Sequence, residues 1–365
     1  MSFLSDLRRS ARHHKVPFVS ALLRSFWLYL GGKFSRKEIL RYGLFVPAIA
    51  ARYPVLISKE RSLTCLHAMN PLEEQHLTED KDEFYRYCQV RELPVPETYG
   101  WAIDGRRYDA AGNRIEDAGE WQTYLASVLP EDFIVKDRAG AYGSGFRTFR
   151  RSGTVFLAAG SARSLGIEDL TSAIESTNGA GNYILQERLF DVDALTCLAG
   201  RRGLQTLRIT TILEKDGQVS VLFYFFKILA GLHDADNFAM GTSGNLVAYG
   251  DRQDGVLRGA VGIHECGSGT TVFTAHPQTG VAFDGFRVPQ WAEAVELVKQ
   301  AQRCFPMLPT LGWDVALTAD GPRIIEANSR WDPPLFAPFL MTAEDWQRIF
   351  GSPGATRAAT RYVAE

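Results

Sequence analysis

Two short apolar runs near the carboxyl end of the chain carry acidic and amide side chains that could do chemistry. Residues 312–317 and 323–328 each have the composition of a strand, and Asp320-Gly321-Pro322 between them is typical of a turn. This pattern predicts a β-hairpin that carries Asp314 on its first strand, and Glu326 and Asn328 on its second.

The spacing of these three residues predicts a cation site. Side chains alternate across a strand, so Glu326 and Asn328 share one face. If the loop covers residues 319–323, Asp314 lies opposite Asn328, and Glu326 lies one diagonal step away. Buried oxygen groups need a positive partner, and carboxylate and amide oxygens suit Mg²⁺ beside nucleotide phosphates. The alternative is a pair of surface acids that flank a turn.

A second candidate site lies at a lysine that ends a strand. Residues 133–136 form an apolar run that ends in Lys136, and residues 137–145 follow as a glycine-rich loop. Such a loop offers many backbone amides to phosphate oxygens, and the lysine beside it can neutralise their charge. The spacing does not match a Walker A motif. The alternative is an ordinary glycine-rich hairpin tip.

The elements that must position these residues follow from periodicity and from breaker residues. Asp80, with Glu83 three residues later, predicts a capping box for a helix that ends near Glu92, ahead of two prolines. A polar connection is predicted over residues 62–79. Further strands and helices are predicted at 98–103, 120–129 (helix), 183–189, 207–213, 219–227 and 289–305 (helix).

The charge of the chain is distributed unevenly. The net charge is −2, but residues 1–61 hold 12 Lys and Arg against 3 Asp and Glu, which gives this segment a net charge of +9. Its two apolar runs are shorter than the roughly 18–20 residues of a membrane span. Its aromatic and basic residues fit either a helical cap packed on the main domain or an interfacial helix on an anionic membrane. The acidic remainder argues against a nucleic-acid-binding protein.

The five cysteines show no close pairing, which predicts a reducing compartment without a disulfide framework. His264-Glu265-Cys266 has metal-ligand residue types. On a strand, however, adjacent side chains point to opposite faces, so we expect a structural role for these residues.

The order of these motifs resembles the ATP-grasp superfamily, and more closely its sugar-transfer-associated, α-L-glutamate-ligase-like branch. The resemblance covers roughly residues 80–345. It rests on Lys136 with its loop and on these further segments: 186–187, 207–211, 236–238, 276–280, 288–289, 312–316 and 326–328. It implies an α+β ATP-grasp fold, with two α+β lobes that hold ATP between them and a mostly helical, basic N-terminal region.

The resemblance also implies a domain organisation and a set of site residues. The N-terminal region would cover residues 1–79, the small lobe 80–189, the large lobe 190–350 and a loose tail 351–365. ATP would be held by Lys136, Gly140, Gly143, Ser144, Gly145, Gln186, Glu187 and Leu189. Arg208, Lys227, Asn237 and Arg330 would act at the reacting end, and Asp314, Glu326 and Asn328 would hold Mg²⁺.

Three of these roles can be stated more closely, and one further role remains open. Gln186–Leu189 would form the hinge between the lobes. Arg208 and Lys227 would face the γ-phosphate or an acyl-phosphate, and Arg330 would steer an anionic substrate. A second phosphate-contacting basic residue, common upstream in the superfamily, would be Arg106 or Arg107, although both also fit solvated hairpin arginines.

The implied activity is an ATP- and Mg²⁺-dependent ligase. It would activate a small-molecule carboxylate as an acyl-phosphate and condense it with an amine, in exopolysaccharide or modified-peptide biosynthesis. One alternative is a kinase of a sugar or other hydroxyl on the same fold. Another is a non-catalytic nucleotide-binding protein of a glycan-assembly complex. The expected location is cytoplasmic, with peripheral membrane contact through residues 1–61.

Overall fold

The computed structural model describes residues 2–53, 55–138, 146–177, 181–232 and 236–351. The chain divides into two compact units. Unit 1 comprises the described residues of 1–75, 191–321 and 328–365, and unit 2 comprises those of 76–190 and 322–327. The predicted boundaries between the N-terminal region and the small lobe (79/80) and between the two lobes (189/190) remain predictions.

The described chain begins with helices, and the strands follow in runs that are separated by single helices. The α-helices are α1 Phe3–His13, α2 Phe18–Leu30, α3 Arg36–Arg41, α4 Pro47–Ala50, α5 Lys59–Met69, α6 His76–Glu79, α7 Lys81–Val90, α8 Ala118–Val128, α9 Ile167–Thr177, α10 Asp193–Ala199, α11 Trp291–Cys304 and α12 Ala343–Phe350. The strands are β1 Thr98–Ile103, β2 Arg106–Asp109, β3 Arg114–Ile115, β4 Asp132–Asp137, β5 Arg147–Ser152, β6 Val155–Ala158, β7 Ser164–Leu165, β8 Tyr183–Glu187, β9 Thr206–Leu213, β10 Val219–Ile228, β11 Leu246–Gly250, β12 Leu257–Ile263, β13 Thr270–Phe273, β14 Thr310–Thr318 and β15 Gly321–Asn328. Short 3-10 helices occupy Leu72–Glu74, Ala239–Gly241 and Pro338–Leu340.

An eight-stranded sheet forms the centre of unit 2, in the order β3-β2-β1-β8-β4-β5-β6-β7. Strands β4 and β8 pair antiparallel at its centre. One face is apolar, because Phe133, Val135 and Leu185 pack there against residues of helices α8 and α9 such as Trp121 and Leu170. Side chains alternate along a strand, so Lys136, next to Val135, and Gln186, next to Leu185, lie on the opposite face.

A seven-stranded sheet, in the order β13-β12-β11-β10-β9-β14-β15, contains the strands that follow residue 205. Strand β9 lies between β10 and β14 and pairs antiparallel with both. Residues 322–327, which make up most of β15, group with unit 2. The two candidate strands of the sequence analysis are therefore real strands, and they divide between the units.

The basic N-terminal region is an integral part of unit 1. Leu7 of α1, Ala21 of α2 and Ile39 of α3 are buried in one hydrophobic cluster with Phe223 of β10 and Trp346 of α12. Burying a large apolar side chain contributes about 1.5–3 kcal/mol, so these contacts hold the helices on the unit. No helix within the described ranges is long and apolar enough to cross a membrane.

Three local predictions were wrong. Residues 62–79 are largely helical rather than a polar connection, although α5 does end at Met69, directly before the predicted breaker Asn70-Pro71. Asp80 precedes α7 but caps no backbone amide, because its carboxylate accepts from Arg138 instead. The hairpin loop has two residues, Ala319 and Asp320, rather than five, since Gly321 takes a φ of 106° that permits a tight turn.

Two predicted features fall outside the described residues. They are the phosphate loop, with Gly140, Gly143, Ser144 and Gly145, and the loose tail beyond Gly351. Both remain predictions.

Candidate active site

In unit 1, two basic side chains share one buried aspartate. Asp314 on β14 lies directly opposite Arg208 on β9, and Arg208 lies opposite Phe225 on β10. Lys227 is two residues beyond Phe225, so it lies on the same face one diagonal step from Arg208. The sheet register therefore brings together three residues that are far apart in sequence.

The hydrogen bonds of this group are charge-assisted. Arg208 binds both carboxylate oxygens of Asp314, with Nη2 at 2.8 Å from Oδ2, and Lys227 Nζ lies 2.7 Å from the same Oδ2. The Asp314 side chain is only 4% exposed, and both cations are 14% exposed. A buried carboxylate that binds two cations is an ionic network that depends on every member.

A second aspartate, Asp236, lies within electrostatic reach of this network. It accepts hydrogen bonds from the backbone amide (2.7 Å) and hydroxyl of Thr206 at the start of β9. Burial raises its pKa, the nearby Lys227 and Thr206 oppose the rise, and Asp314 adds to it. We call Arg208, Lys227, Asp236 and Asp314 the aspartate cluster.

Three other predicted residues of unit 1 lie outside these bonds. Asn237 uses its side-chain oxygen locally and accepts from Ala239 N at 3.0 Å. Asn328, at the end of β15, donates from Nδ2 to Gly312 O at 3.3 Å. Arg330 is exposed in the turn that follows. Their predicted roles toward substrate and metal remain predictions.

In unit 2, the pairing of β4 with β8 places Lys136 and Gln186 on one face. Lys136 lies opposite Ile184 and Ile134 lies opposite Gln186, so the two polar residues are diagonal neighbours. Gln186 is fully buried and donates to Thr98 Oγ1 at 3.3 Å, while its Oε1 has no hydrogen-bond partner among the described residues. Because buried amides are normally satisfied, this oxygen suits a site that receives a polar ligand.

Helix α7 and strand β15 contribute further residues beside Lys136. The Lys136 ammonium lies 6.0 Å from the ring centre of Tyr85, and the Tyr85 hydroxyl donates to Ile325 O at 2.6 Å. Lys81, one helical turn before Tyr85, donates to Asp137 O at 2.9 Å. We call Lys81, Tyr85, Lys136, Gln186 and Glu326 the lysine cluster.

Burial disfavours the charged forms of both lysines in the lysine cluster. Burial lowers the pKa of Lys136 to about 8, Glu326 opposes this change, and Lys81 adds to it. Burial also lowers the pKa of Lys81, which Glu326 and Asp137 oppose. Two partly buried lysines therefore act on one another here, and an anion beside them would favour their charged forms.

The remaining predicted nucleotide residues of unit 2 take different positions. Glu187 pairs with Phe133, so it lies on the opposite face from Lys136, and its Oε2 accepts from Glu97 N at 3.1 Å. Leu189 is buried just past the end of β8. The proposed upstream arginine Arg107 pairs with Glu175 at 2.9 Å, and Lys81 is the upstream basic residue found beside Lys136.

The predicted Mg²⁺ ligands offer a suitable donor set. All three residues carry hard oxygen atoms of the kind that Mg²⁺ prefers. Asp314 already binds two cations through its oxygens. Glu326 groups with unit 2, and Asp314 and Asn328 group with unit 1, so the complete set remains a prediction.

Sequence reasoning missed three residues of these clusters. Lys81 and Tyr85 are four residues apart on a predicted helix, and this spacing alone places them on one helical face. Asp236 directly precedes the predicted site residue Asn237 in the sequence, but only the fold brings Asp236 to Thr206. A helical-wheel analysis of α7 would have found the first two.

Comparison with known proteins identifies a family for most of the chain. A family model described as sugar-transfer associated ATP-grasp matches residues 60–337. This match confirms the resemblance and the expected α+β fold class. A search of curated proteins found no match.

Solved structures show more distant similarity. Biotin carboxylase from Campylobacter jejuni has 11% identity and a TM-score of 0.45, with 79% of this chain and 50% of that chain covered. A D-cycloserine synthetase has 15% identity and a TM-score of 0.38, with 81% and 73% covered. The D-alanine-D-alanine ligase from Coxiella burnetii has 11% identity and a TM-score of 0.36, with 81% and 59% covered. The chain thus spans half the length of the biotin carboxylase.

Proposed function

This chain belongs to the sugar-transfer associated ATP-grasp family, and on that ground we propose that it is an ATP- and Mg²⁺-dependent ligase. The proposed reaction activates a carboxylate as an acyl-phosphate and joins it to an amine, with release of ADP and phosphate. The structural observation that carries the proposal is the lysine cluster, because two partly buried lysines beside an orphaned amide oxygen suit a polyphosphate ligand.

The lysine cluster is the proposed nucleotide site. Lys136 and Lys81 would neutralise phosphate oxygens, and Glu326 keeps part of their charge balanced in the free protein. Gln186 would use its unsatisfied Oε1 toward the nucleotide. Phosphoryl transfer depends mainly on positioning and charge neutralisation, so no protein nucleophile is required.

The aspartate cluster is the proposed reacting end. Arg208 and Lys227 are held in place by Asp314, and they are the cations that would face a transferred phosphoryl group. Asp314 therefore orients the two side chains and offsets their charge before substrate arrives. Asp314, Glu326 and Asn328 would hold Mg²⁺, which supplies electrostatic stabilisation of the phosphate charge when bound. Arg330 and Asn237 are proposed contacts to the acid substrate.

The alternatives differ in what accepts the phosphoryl group. A kinase would transfer it to a hydroxyl and stop there, and a non-catalytic nucleotide-binding protein would transfer nothing. The aspartate cluster favours catalysis, because keeping two cations on one buried aspartate is costly for a protein that only binds a nucleotide. The setting in exopolysaccharide or modified-peptide assembly comes from the family resemblance.

Hydroxylamine trapping separates these alternatives. The full chain is incubated with ATP, Mg²⁺, hydroxylamine and a panel of amino, uronic and dicarboxylic acids, and hydroxamate and ADP are measured. A ligase gives acid-dependent hydroxamate with matching ADP, because hydroxylamine attacks an acyl-phosphate in place of the amine. ADP formed with a phosphorylated sugar and no hydroxamate would identify the kinase instead.

A binding measurement accompanies this assay. Nucleotide that binds only the folded state raises the unfolding midpoint, by the equivalent of about 2.7 kcal/mol at a hundredfold excess over Kd. We expect a shift with ATP and Mg²⁺ that is absent in Lys136→Met and retained in the exposed-site control Lys215→Met. A shift without any ADP formation across the whole panel would favour the non-catalytic alternative, and no shift at all would contradict the nucleotide site.

We further propose that helix α2 attaches the protein to an anionic membrane surface. Five large apolar side chains on one face of this helix are 50–66% exposed: Val19, Leu23, Phe26, Trp27 and Leu30. Their spacing follows the helical repeat, and the segment that contains them has a net charge of +9. An apolar stripe with basic flanks suits an anionic bilayer, and the same charge opposes pairing with a second copy.

Vesicle flotation tests this attachment. The full chain should float with vesicles that contain anionic phospholipid and not with neutral vesicles, and salt should weaken the binding. Leu23→Glu with Trp27→Glu should abolish flotation, whereas Leu72→Glu, at another exposed leucine, should not. Equal flotation of all variants, or a dimer in solution that the double variant dissolves, would contradict the proposal.

A further inference from the structure

A group of metal-ligand side chains lies in unit 1, apart from the residues of both clusters. His13, His264 and Cys266 each place a ligand atom within 4.8 Å of the others. Cys266 is a free thiol, and it lies 252 residues from the neighbouring His14 in sequence. We propose that His13, His264 and Cys266 form a transition-metal site, with Zn²⁺ as its metal.

The fold places two of these residues on a tight turn. Strand β12 ends at Ile263, and residues 264–269 turn back toward β13. The turn is closed by bonds from His264 N to Gly269 O (2.8 Å) and from Gly267 N to His264 O (2.7 Å). Gly267 and Gly269 have φ values of 77° and 81°, which other residues rarely adopt. Because this segment is a turn rather than a strand, strand alternation does not decide where its side chains lie, and the structural role predicted from that alternation rests on a wrong premise. The ligand atoms of His264 and Cys266 lie within 4.8 Å of one another.

Helix α1 brings the third residue to the turn. His13 is its last residue, and its ring centre lies 4.4 Å from that of His264. The next residue, His14, is bound through Nε2 to Ser268 O at 3.0 Å, and its Nε2 lies 3.9 Å from Cys266 Sγ. His14 thus fixes the end of the helix on the turn. The carbonyl groups at a helix C-terminus also favour a cation there.

The donor set selects the class of metal. Two imidazoles and a thiolate suit Zn²⁺ and similar borderline-soft ions, and they do not suit Mg²⁺. Tetrahedral bonds of roughly 2.0–2.3 Å place ligand atoms roughly 3.3–3.8 Å apart, so the ligands must approach by about 1 Å. The His13 side chain is exposed and can make that movement. Three protein ligands leave the fourth position for water.

The surroundings are compatible with a bound cation. Cys266 N donates to His264 Nδ1 at 3.2 Å, so that nitrogen carries a lone pair, and coordination through it would replace this bond and leave the proton on Nε2. Cys266 Sγ donates to Ser268 O at 3.3 Å and would lose its proton on binding metal. Arg41, a cation beside the turn, is bound to Gly267 O at 3.5 Å. The site would join the N-terminal helix to the sheet of unit 1.

Metal titration of the full chain tests the site. After EDTA treatment and dialysis, the protein should bind one Zn²⁺ per chain at micromolar concentration, and Zn²⁺ should raise the unfolding midpoint. Co²⁺ should give a thiolate-to-cobalt charge-transfer band, which carboxylate sites cannot produce. Cys266→Ser should remove the band, and both Cys266→Ser and His13→Ala should weaken zinc binding about tenfold or more.

Matched controls make the result decisive. Cys197→Ser and His76→Ala change an exposed cysteine and an exposed histidine elsewhere, and they should bind zinc as the parent chain does. His13 is exposed, so His13→Ala keeps the fold even if Cys266→Ser does not, and circular dichroism checks both. No zinc binding at micromolar concentration, or equal binding by all four variants, would overturn the proposal.

Discussion

The aspartate cluster of unit 1 and the lysine cluster of unit 2 both bury basic side chains, but they differ in how the charge of those side chains is balanced. In the first, one buried carboxylate binds Arg208 and Lys227 directly, so the charges stabilise one another within hydrogen-bond distance. In the second, Lys136 and Lys81 repel each other, and Glu326 compensates only in part, so burial lowers the pKa of Lys136 to about 8. The difference teaches that the first cluster pairs its charges within hydrogen-bond distance, whereas in the second Glu326 offsets only part of the cost of burying Lys136.

The largest expected effect is in the aspartate cluster. Asp314→Asn leaves two buried cations without their carboxylate, and we expect a loss of about 3–5 kcal/mol in the free energy of unfolding. Urea denaturation measures it. Adding Lys227→Met to this variant should recover part of the loss, because one unpaired charge is removed. A loss below about 1 kcal/mol would show that the cluster is not a dependent network.

The opposite sign is expected in the lysine cluster. Lys136→Met removes a charge that burial disfavours, so the free energy of unfolding should rise by about 1–3 kcal/mol while nucleotide binding is lost. Lys215→Met, at an exposed lysine, should change stability by less than about 0.5 kcal/mol. If Lys136→Met destabilises the protein as Asp314→Asn does, the contrast between the clusters is wrong.

The pH dependence sharpens this contrast. The pKa of Lys136 is lowered to about 8 in the folded protein from its ordinary value of 10.5, so the unfolded chain binds more protons between these two values. Below pH 8 the buried charge of this lysine lowers the free energy of unfolding. This loss is recovered as the pH rises from about 8 towards 10.5. The advantage of Lys136→Met over the parent chain should shrink across that window in paired urea titrations. An advantage that stays constant to pH 10.5 would refute the lowered pKa.

The smallest effect is expected from a neutral hydrogen bond of the lysine cluster. Tyr85→Phe removes the bond from the Tyr85 hydroxyl to Ile325 O, and a bond of this kind contributes about 1 kcal/mol. Thermal unfolding of Tyr85→Phe, with Tyr87→Phe on the same helix as a control, measures this contribution. A loss as large as that of Asp314→Asn would mean that the hydroxyl, rather than charge, organises the cluster.

Regular elements were predictable where a single local signal dominated. The strand at 98–103 was predicted with the bounds that the structure shows, and the helix at 120–129 was displaced by only one or two residues. Predictions failed where a distant residue competed with the local signal. Asp80 has the sequence of a capping residue, but Arg138 takes its carboxylate. Residues 62–79 have a polar composition, yet Leu66 is fully buried in the unit 1 core, which favours helix there.

The candidate site was predictable as a set of residue types rather than as a set of contacts. Glycine, lysine and acidic motifs in a fixed order were enough for the family, because each motif is local in sequence. The partners of Asp314 were not predictable, since Arg208 lies 106 residues away and strand register brings it to Asp314. Lys81 and Tyr85 were missed because the only motif of helix α7, the capping box predicted at Asp80 and Glu83, concerns the start of the helix and indicates no ligand.

The sequence by itself determined most of the regular elements and the family to which the chain belongs, since these depend on short-range periodicity and residue type. Only the tertiary structure decided which side chains meet. It placed Arg208 and Lys227 on Asp314, surrounded Lys136 with Lys81 and Glu326, and brought His13 to Cys266. The physical reason is that strand register and helix packing are settled by burial of the whole core, which no local pattern specifies.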